Sequence, residues 1–129
     1  MTDGVRIAQL LSSELDGRED GTFGRFAVVD ADPDVAPTVD GARAYRVRCD
    51  DEPVAEVFVQ PDRARVELRS GLDAAVETAE KLATAADGTV DLRVRPKAVE
   101  PPRVVLFVES GAAVKRAADV LAAAVDAES

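Results

Sequence analysis

Residues 42–69 read ARAYRVRCDDEPVAEVFVQPDRARVELR, and their pattern is the clearest indication of the fold. Apolar and charged residues alternate within three short runs, at residues 42–49, 54–59 and 63–69. The turn-forming sequences DDEP and QPD separate the runs. Alternation with a period of two predicts half-buried β-strands, and short turns between strands predict antiparallel pairing. The stretch therefore predicts an antiparallel meander with one apolar face and one charged face.

Arginine dominates the charged face of this meander. Arg46 and Arg48 alternate with apolar residues in the first run, and the same alternation recurs in the third run and in residues 90–95. Residues 42–103 contain 11 basic and 12 acidic residues, whereas the rest of the chain contains 5 basic and 13 acidic ones. We expect one sheet face to carry Arg46, Arg48, Arg63, Arg65, Arg69, Arg93 and Arg95.

Outside the meander, the hydrophobic pattern alternates between helical and strand periods. The predicted elements are a helix at 3–16, a strand at 23–29, a helix capped by Ser70 that stops near Gly88, strands at 90–95 and 104–108, and a helix capped by Ser110. The predicted apolar stripes are Ile7, Leu10, Leu11 and Leu15 in the first helix and Ala113, Val114, Ala117, Val120, Leu121, Ala124 and Val125 in the last. This order, α-β-β-β-β-α-β-β-α, predicts an α+β fold in which an antiparallel sheet of five to six strands carries helices on one face. No repeat or linker divides the chain, so we expect residues 1–129 to form a single domain.

Three local features refine this prediction. Ser70 followed by Asp73 resembles a capping box at the start of the second helix, whose predicted buried stripe is Leu72, Val76, Ala79 and Leu82. The run 104–108 is continuously apolar, which predicts a strand covered on both faces or central in the sheet. Alternation places Asp91 on the charged face, where Glu56, Glu67 and Asp91 would pair with arginines across the sheet.

The composition is typical of proteins from extremely halophilic archaea, and the alternative is an acidic protein from a high-GC mesophile, whose codons also favour Ala, Arg and Asp. The net charge is −9, with 15 Asp but only 3 Lys. At molar salt the Debye length falls to about 3 Å, so an acidic surface repels itself weakly. The N-terminus lacks the pattern of a signal peptide, and no apolar run is long enough to span a membrane. The sequence therefore predicts a soluble, cytoplasmic, salt-adapted protein without a membrane partner.

The sequence contains few of the residue types that catalysis and metal binding require. The chain contains no histidine and one cysteine, Cys49, which excludes Ser-His-Asp and Cys-His nucleophiles and histidine-ligated zinc or haem. The alternating carboxylates of residues 30–34 resemble a calcium loop, but Val35 and Gly41 replace its required Gly and Glu. We therefore expect no catalytic residues, no metal and no cofactor. Cys49 ends a strand on its apolar side and is interpreted as a small buried hydrophobe.

Ser110 and Gly111 form a weak candidate anion site. They lie where a strand leads into a helix, and free N–H groups at a helix start attract anions. Glu109 opposes an anion there, and the pattern matches neither a Walker A loop nor a dinucleotide fingerprint. An ordinary helix cap is the simpler interpretation of Ser110.

The arginine-bearing face has three interpretations. Arginines and glutamates could form solvated cross-strand ladders, or the face could bind a partner protein or a second copy of the chain, or it could bind nucleic acid. Binders of single-stranded nucleic acid usually interleave aromatic residues for stacking, and here the face offers little beyond Phe58. Backbone contacts to nucleic acid also weaken steeply with salt. A protein partner or a homodimer is therefore favoured over nucleic acid.

The stretches LRVRPK at 92–97 and PPRVVLFVESG at 101–111, with the acidic composition, resemble small haloarchaeal proteins of unknown function. That resemblance implies no activity and no site. The element order is similar to the type III secretion chaperone-like fold, which has three strands before its second helix and would make residues 23–29 an extra edge strand. This likeness implies a dimer that binds segments of other proteins. Our leading hypothesis is a non-enzymatic protein-interaction or chaperone-like domain, and the alternative is a nucleic-acid-associated protein.

Overall fold

An antiparallel sheet forms where the alternating sequence predicts it. The computed structural model describes residues 3–17 and 21–127. The strands among them are β1 (Phe26–Val29), β2 (Ala42–Cys49), β3 (Glu52–Gln60), β4 (Arg63–Leu68), β5 (Leu92–Lys97) and β6 (Arg103–Val108). The α-helices are α1 (Gly4–Gly17), α2 (Leu72–Lys81) and α3 (Val114–Ala127). The predicted α+β class and the predicted order of these elements are confirmed.

The strand order across the sheet is β1-β2-β3-β4-β6-β5, and each neighbouring pair is antiparallel. The first four strands form the predicted meander. After α2 the chain runs along the far edge as β5 and returns as β6 between β5 and β4. In the described part of the chain, no helix is long and apolar enough to cross a membrane.

The hairpin between β2 and β3 is tighter than the sequence predicted. Asp50 and Asp51 have φ angles of 51° and 68°. Two successive left-handed residues form the two-residue turn that best matches the twist of paired strands, and aspartate tolerates this conformation better than most residues. The strand β3 consequently begins at Glu52 rather than at the predicted residue 54.

The core lies between one face of the sheet and the three helices described above. Val47, Val57, Val66 and Leu106 are fully buried on that face. The apolar stripe of α3 is buried along its whole length, as its spacing predicted. The α1 stripe is also buried except for Leu10, which is half-buried. Apart from Phe23, Phe26 and Tyr45, small and medium aliphatic side chains fill this core.

Two further strands begin later than predicted. Residues Gly21–Arg25 form a short 3-10 helix, so the first strand begins at Phe26 instead of residue 23. There Phe23 packs edge-on against Phe26, with ring centroids 5.9 Å apart. The fifth strand covers Leu92–Lys97 rather than 90–95. Because Val90 is exposed and Asp91 is buried, the predicted alternation holds only from Leu92 onward.

The start of α2 also differs from the prediction. Gly71, not Ser70, is the N-cap residue, and no side chain caps the helix. Gly71 has a φ of 59°, and a Cβ atom there would lie 1.9 Å from the carbonyl oxygen of Ala124 in α3. This close approach and the left-handed backbone both require glycine. The helix ends at Lys81, so Gly88 does not terminate it and instead lies at φ 90° in the following loop.

The packing of α2 is shallower than predicted. Its fully buried residues are Ala75 and Ala79, whereas Leu72, Val76 and Leu82 are only half-buried. By contrast, the strand β6 is covered on both faces, as its continuous apolar run predicted. Val105, on the face away from the helices, is 3% exposed.

Candidate functional site at the open sheet face

The sheet face opposite the helices, here called the open face, carries every arginine that the alternation assigned to it. The register pairs Arg46 with Glu56 and Arg65 with Phe58, while their strand neighbours point into the core. Arg93 and Arg95 lie opposite Phe107 and Val105 on the same side. Arg48 and Arg63 follow by the period of two, and Arg69 continues the side of β4.

Three further bases lie on this face that sequence reasoning did not assign to it. They are Arg43, Lys97 and Arg103. The open face thus carries ten basic side chains, against five acidic ones, Glu56, Glu67, Glu109, Asp30 at its edge and Glu100 at the end of the β5–β6 hairpin. This is an excess of five positive charges on one face of a chain whose net charge is −9. The open face is therefore strongly basic within an acidic protein.

Glu56 is the centre of the largest ion-pair network on the open face. Its carboxylate lies 3.3 Å from Arg43 and 3.6 Å from Arg46, and it accepts a short hydrogen bond from Arg69. The register places Glu67 directly opposite Glu56, an arrangement that would be repulsive without these cations. The network therefore neutralises charge that the strand register brings together.

Glu67 and Glu109 are bound in the same manner as Glu56. Glu67 lies 3.1 Å from Arg65 and 2.9 Å from Arg103. Glu109, just beyond β6, lies 3.4 Å from Arg63 and 2.8 Å from Arg93. Glu56, Glu67 and Glu109 are thus each shared by at least two guanidinium groups, and arginine is well suited to pairing with carboxylates in this way.

Several cationic groups on the open face remain without an anionic partner. Arg48, Arg95 and Lys97 are exposed and form no ion pair with the residues that the structure describes. Within the same part of the chain, the Nε atoms of Arg46, Arg65 and Arg103 are buried and have no hydrogen-bond acceptor. The exposed groups of Arg48, Arg95 and Lys97 are therefore the positive charges of this face that an anion can reach.

Two phenylalanines form the apolar part of the open face. The Arg65 guanidinium lies 4.7 Å from the centroid of Phe58, and that of Arg63 lies 4.0 Å from the centroid of Phe107. Phe107 was missed because the apolar run of β6 does not reveal which side chains face the helices. Its register partner Arg65 is the only signal that would have located it.

Two depressions indent the open face. One, of about 240 Å³, lies among Arg46, Arg48, Arg69 and Glu56. The other, of about 310 Å³, lies at the end of the β5–β6 hairpin, where Lys97 and Arg103 meet the exposed Val99. The first combines a net positive charge with some apolar surface, which suits a side chain that carries a carboxylate, whereas in the second Glu67 and Glu100 balance Lys97 and Arg103.

The predicted anion candidate at Ser110 and Gly111 is occupied by a carboxylate of the chain itself. The Ser110 hydroxyl donates to Asp91 over 2.7 Å and forms no cap bond. A 3-10 turn, Gly111–Ala113, precedes α3, so the prediction that Ser110 caps the last helix is wrong. Asp91 also accepts two hydrogen bonds from Arg116, at 2.7 and 2.9 Å.

This buried pair was not predicted, because the alternation placed Asp91 on the charged face. Burial is the largest influence on the Asp91 carboxyl and opposes its ionisation, but the hydrogen bonds from Ser110 and Arg116 and the charge of Arg116 outweigh it, so the pKa of Asp91 lies below its ordinary value. Arg116 also donates to the carbonyl oxygen of Leu82 at 2.7 Å. The Asp91–Arg116 pair therefore connects the end of α2, the start of β5 and α3.

The remaining candidates are structural. Cys49 is buried, and burial raises the pKa of its thiol, with Asp50 and Asp126 adding to the effect and Arg25 opposing it. In the acidic loop, Asp32 accepts a bond from the backbone N–H of Asp34. The described residues contain no cluster of three or more acidic or cysteine side chains that could hold a metal ion.

The comparisons with known proteins give one result. A family model described as a family of unknown function (DUF7993) matches residues 1–129. No curated protein and no solved structure matches the chain. Any function must therefore be argued from the chemistry of the open face.

Proposed function

This chain belongs to the family of unknown function DUF7993, and we propose that it is a non-enzymatic binding module that holds an acidic segment of a partner protein on its open face. The carrying observation is the excess of five positive charges there, in a chain whose net charge is −9. The remaining sequence holds six basic and 20 acidic residues, so the positive charge of the chain is concentrated on the open face.

The internal glutamates support a carboxylate as the ligand. Glu56, Glu67 and Glu109 each lie between two or more guanidinium groups at ion-pair distance. Such sites match aspartate and glutamate side chains in both charge and geometry. Arg48, Arg95 and Lys97 extend the same chemistry to a carboxylate that comes from outside.

Nucleic acid is the weaker candidate for the same face. Single-stranded binders expose aromatic rings on which bases stack. Phe58 and Phe107 already lie beneath guanidinium groups, so a base would have to displace Arg65 or Arg63 first. Counterion release also makes phosphate binding steeply dependent on salt, and the composition supports a host with high internal salt.

A second copy of the chain does not fit face to face. Two open faces would bring like charges together, which costs free energy across an interface. The chaperone-like dimer suggested by the element order would have to use another surface, leaving both open faces accessible. We therefore assign the open face to a partner protein and keep self-association as a separate question for light scattering across a salt series.

A direct test measures the affinity of a fluorescent peptide of alternating glutamate and serine at low and at molar salt. The triple variant Arg48→Ser, Arg95→Ser, Lys97→Ser removes exposed bases that stabilise nothing visible in the described fold. We expect it to weaken binding about tenfold or more at low salt, since each exposed ion pair contributes about 0.2–1 kcal/mol. The matched control is the triple variant Arg6→Ser, Lys81→Ser, Lys115→Ser, which removes three exposed charges from α1, α2 and α3.

Three results would count against the proposal. Undetectable peptide binding to the wild-type protein would remove it. Equal weakening by the control variant would show attraction to net charge rather than to the open face. Tighter binding of oligo-dT or oligo-U than of the peptide, with loss of that binding in the triple variant, would assign the face to nucleic acid.

A further inference from the structure

A groove lies beside α2, at the end of the sheet where β5 turns into β6. Its volume is about 520 Å³, within the roughly 300–1,000 Å³ range of small-ligand pockets. The half-buried Leu72 and Val76 form one wall, and Val104 contributes to the lining from β6. Ala98 and Pro102, in the connection between the strands, line the opposite side. The groove is thus apolar along its walls and open to solvent.

The rims of this groove carry opposite charges. Asp73, Glu77 and Glu80 line the α2 side, whereas Lys97 and Arg103 line the strand side. A ligand that lies in the groove therefore meets a repulsive field for carboxylates along one rim and an attractive field along the other.

The groove is continuous with the open face. Lys97 and Arg103 line both the groove and the neighbouring depression of about 310 Å³ on that face. Val99, which is 47% exposed, lies in the connection between them and lines the open-face depression. An apolar surface therefore leads directly around the hairpin end to the basic surface.

Resting on the proposed function, we infer that the partner segment is an acidic peptide with an apolar anchor at one end. The anchor occupies the groove between α2 and the β5–β6 connection, and the carboxylates follow past Lys97 and Arg103 onto the open face toward Arg95. The acidic rim of α2 sets the direction, because carboxylates on the far side of the anchor would face Asp73 and Glu80. The segment is thus recognised by the order of its apolar and acidic residues as well as by charge.

The inference can be tested with three peptides. The first alternates glutamate and serine, the second adds a leucine pair at one end, and the third places the leucine pair between two glutamate-rich halves. Burial of one leucine side chain gains enough free energy to raise affinity about tenfold or more. We expect the second peptide to bind at least about tenfold more tightly than the first, and the third to lose most of that gain.

Two variants locate the anchor. Val76→Thr makes one wall of the groove polar without changing its shape. Ala98→Gln places a larger side chain in the groove, and because Ala98 is exposed we expect this substitution not to affect folding. Both should reduce the affinity of the second peptide to that of the first and leave the first unchanged. Ala86→Gln, at an exposed position in the loop after α2, is the matched control and should change neither affinity.

The outcomes separate this inference from the proposed function. If none of the three peptides binds the wild-type protein, the proposed function is overturned, and the inference of an apolar anchor is overturned with it. If the first peptide binds and the leucine pair adds nothing, only the anchor is overturned. Retention of the full leucine gain in both Val76→Thr and Ala98→Gln would also overturn it, because the leucines would then bind elsewhere.

Discussion

The two faces of the sheet are formed by alternate residues of the same strands, yet they follow different physics. On the helix face, Val57, Val66 and Leu106 are fully buried among other aliphatic groups. On the open face, Glu56, Arg65 and Arg103 remain partly accessible to water. Burial of apolar area drives folding, whereas partly hydrated ion pairs contribute little net free energy. The contrast indicates that the helix face, rather than the open face, holds the fold together.

The largest effect on the free energy of unfolding is expected for the ion pair between Asp91 and Arg116, which lies on the buried side of the sheet. Asp91→Ala should lower the free energy of unfolding by about 3 kcal/mol, because removal of one partner leaves Arg116 without its counterion. Glu67→Ala, which removes an open-face glutamate with two arginine partners, should cost about 1 kcal/mol or less. Urea denaturation of both variants measures the difference. Equal costs would contradict the separation between the two faces.

The next effect compares identical substitutions on the two faces. Val66→Ala, beneath the helices, should destabilise the protein by about 2–3 kcal/mol, since it removes apolar area and leaves a cavity. Val105→Ala, on the open face, should cost about 1 kcal/mol, because the flexible side chains above it can collapse into the space. Thermal and urea unfolding of the two variants give these costs. A larger loss for Val105→Ala would show that the open face is as rigidly packed as the core.

The pH dependence isolates the contribution of the Asp91 carboxylate. Its pKa is lowered in the folded protein, so its stabilising effect is complete above the ordinary pKa of about 3.9 and is lost as the pH falls through the folded value. The difference in free energy of unfolding between wild type and Asp91→Asn should therefore be constant above about pH 5 and narrow below about pH 4. A difference that widened on acidification would show that the sign of this pKa shift is wrong.

The sequence was sufficient where local alternation decides the structure. In β4, and in β2 from Tyr45 onward, each side chain's face follows from its neighbours, so the position of Arg46 or Arg65 needed no knowledge of distant residues. A register shift between Arg43 and Tyr45 breaks the alternation at the start of β2, which is why Arg43 was not assigned to the open face. The stripe of α3 was equally readable, because it is continuous over four turns. These elements place the open face, and its seven predicted arginines followed from them.

Sequence reasoning failed where a distant residue decides the local structure. Asp91 reads as an exposed strand residue, but Arg116, 25 positions away, pairs with it in the interior. Gly71 begins α2 because Ala124 of α3 leaves no room for a side chain. Phe107 could not be assigned to a face until β6 was paired with β4, and the glutamate networks likewise depend on strand order. Pairing partners far apart in the sequence were the missing information.

The smallest effect on stability should accompany a gain in binding. Glu56→Gln removes the carboxylate shared by Arg43, Arg46 and Arg69 and should change the free energy of unfolding by no more than about 1 kcal/mol. Two of the released guanidinium groups, those of Arg46 and Arg69, line the depression that Arg48 also lines, so a glutamate-rich peptide should bind severalfold more tightly at low salt. Fluorescence anisotropy measures the affinity, and urea denaturation measures the stability.

The control for Glu56→Gln is Asp16→Asn, which removes an exposed carboxylate from α1, on the helix side of the sheet. It changes the net charge of the protein equally but releases no base on the open face, so the affinity for the peptide should rise little. At molar salt, where the Debye length is about 3 Å, the advantage of Glu56→Gln over this control should shrink. Equal affinities for the two variants at low salt would mean that the peptide responds to total charge and that the open face, despite its arginines, is not where it binds.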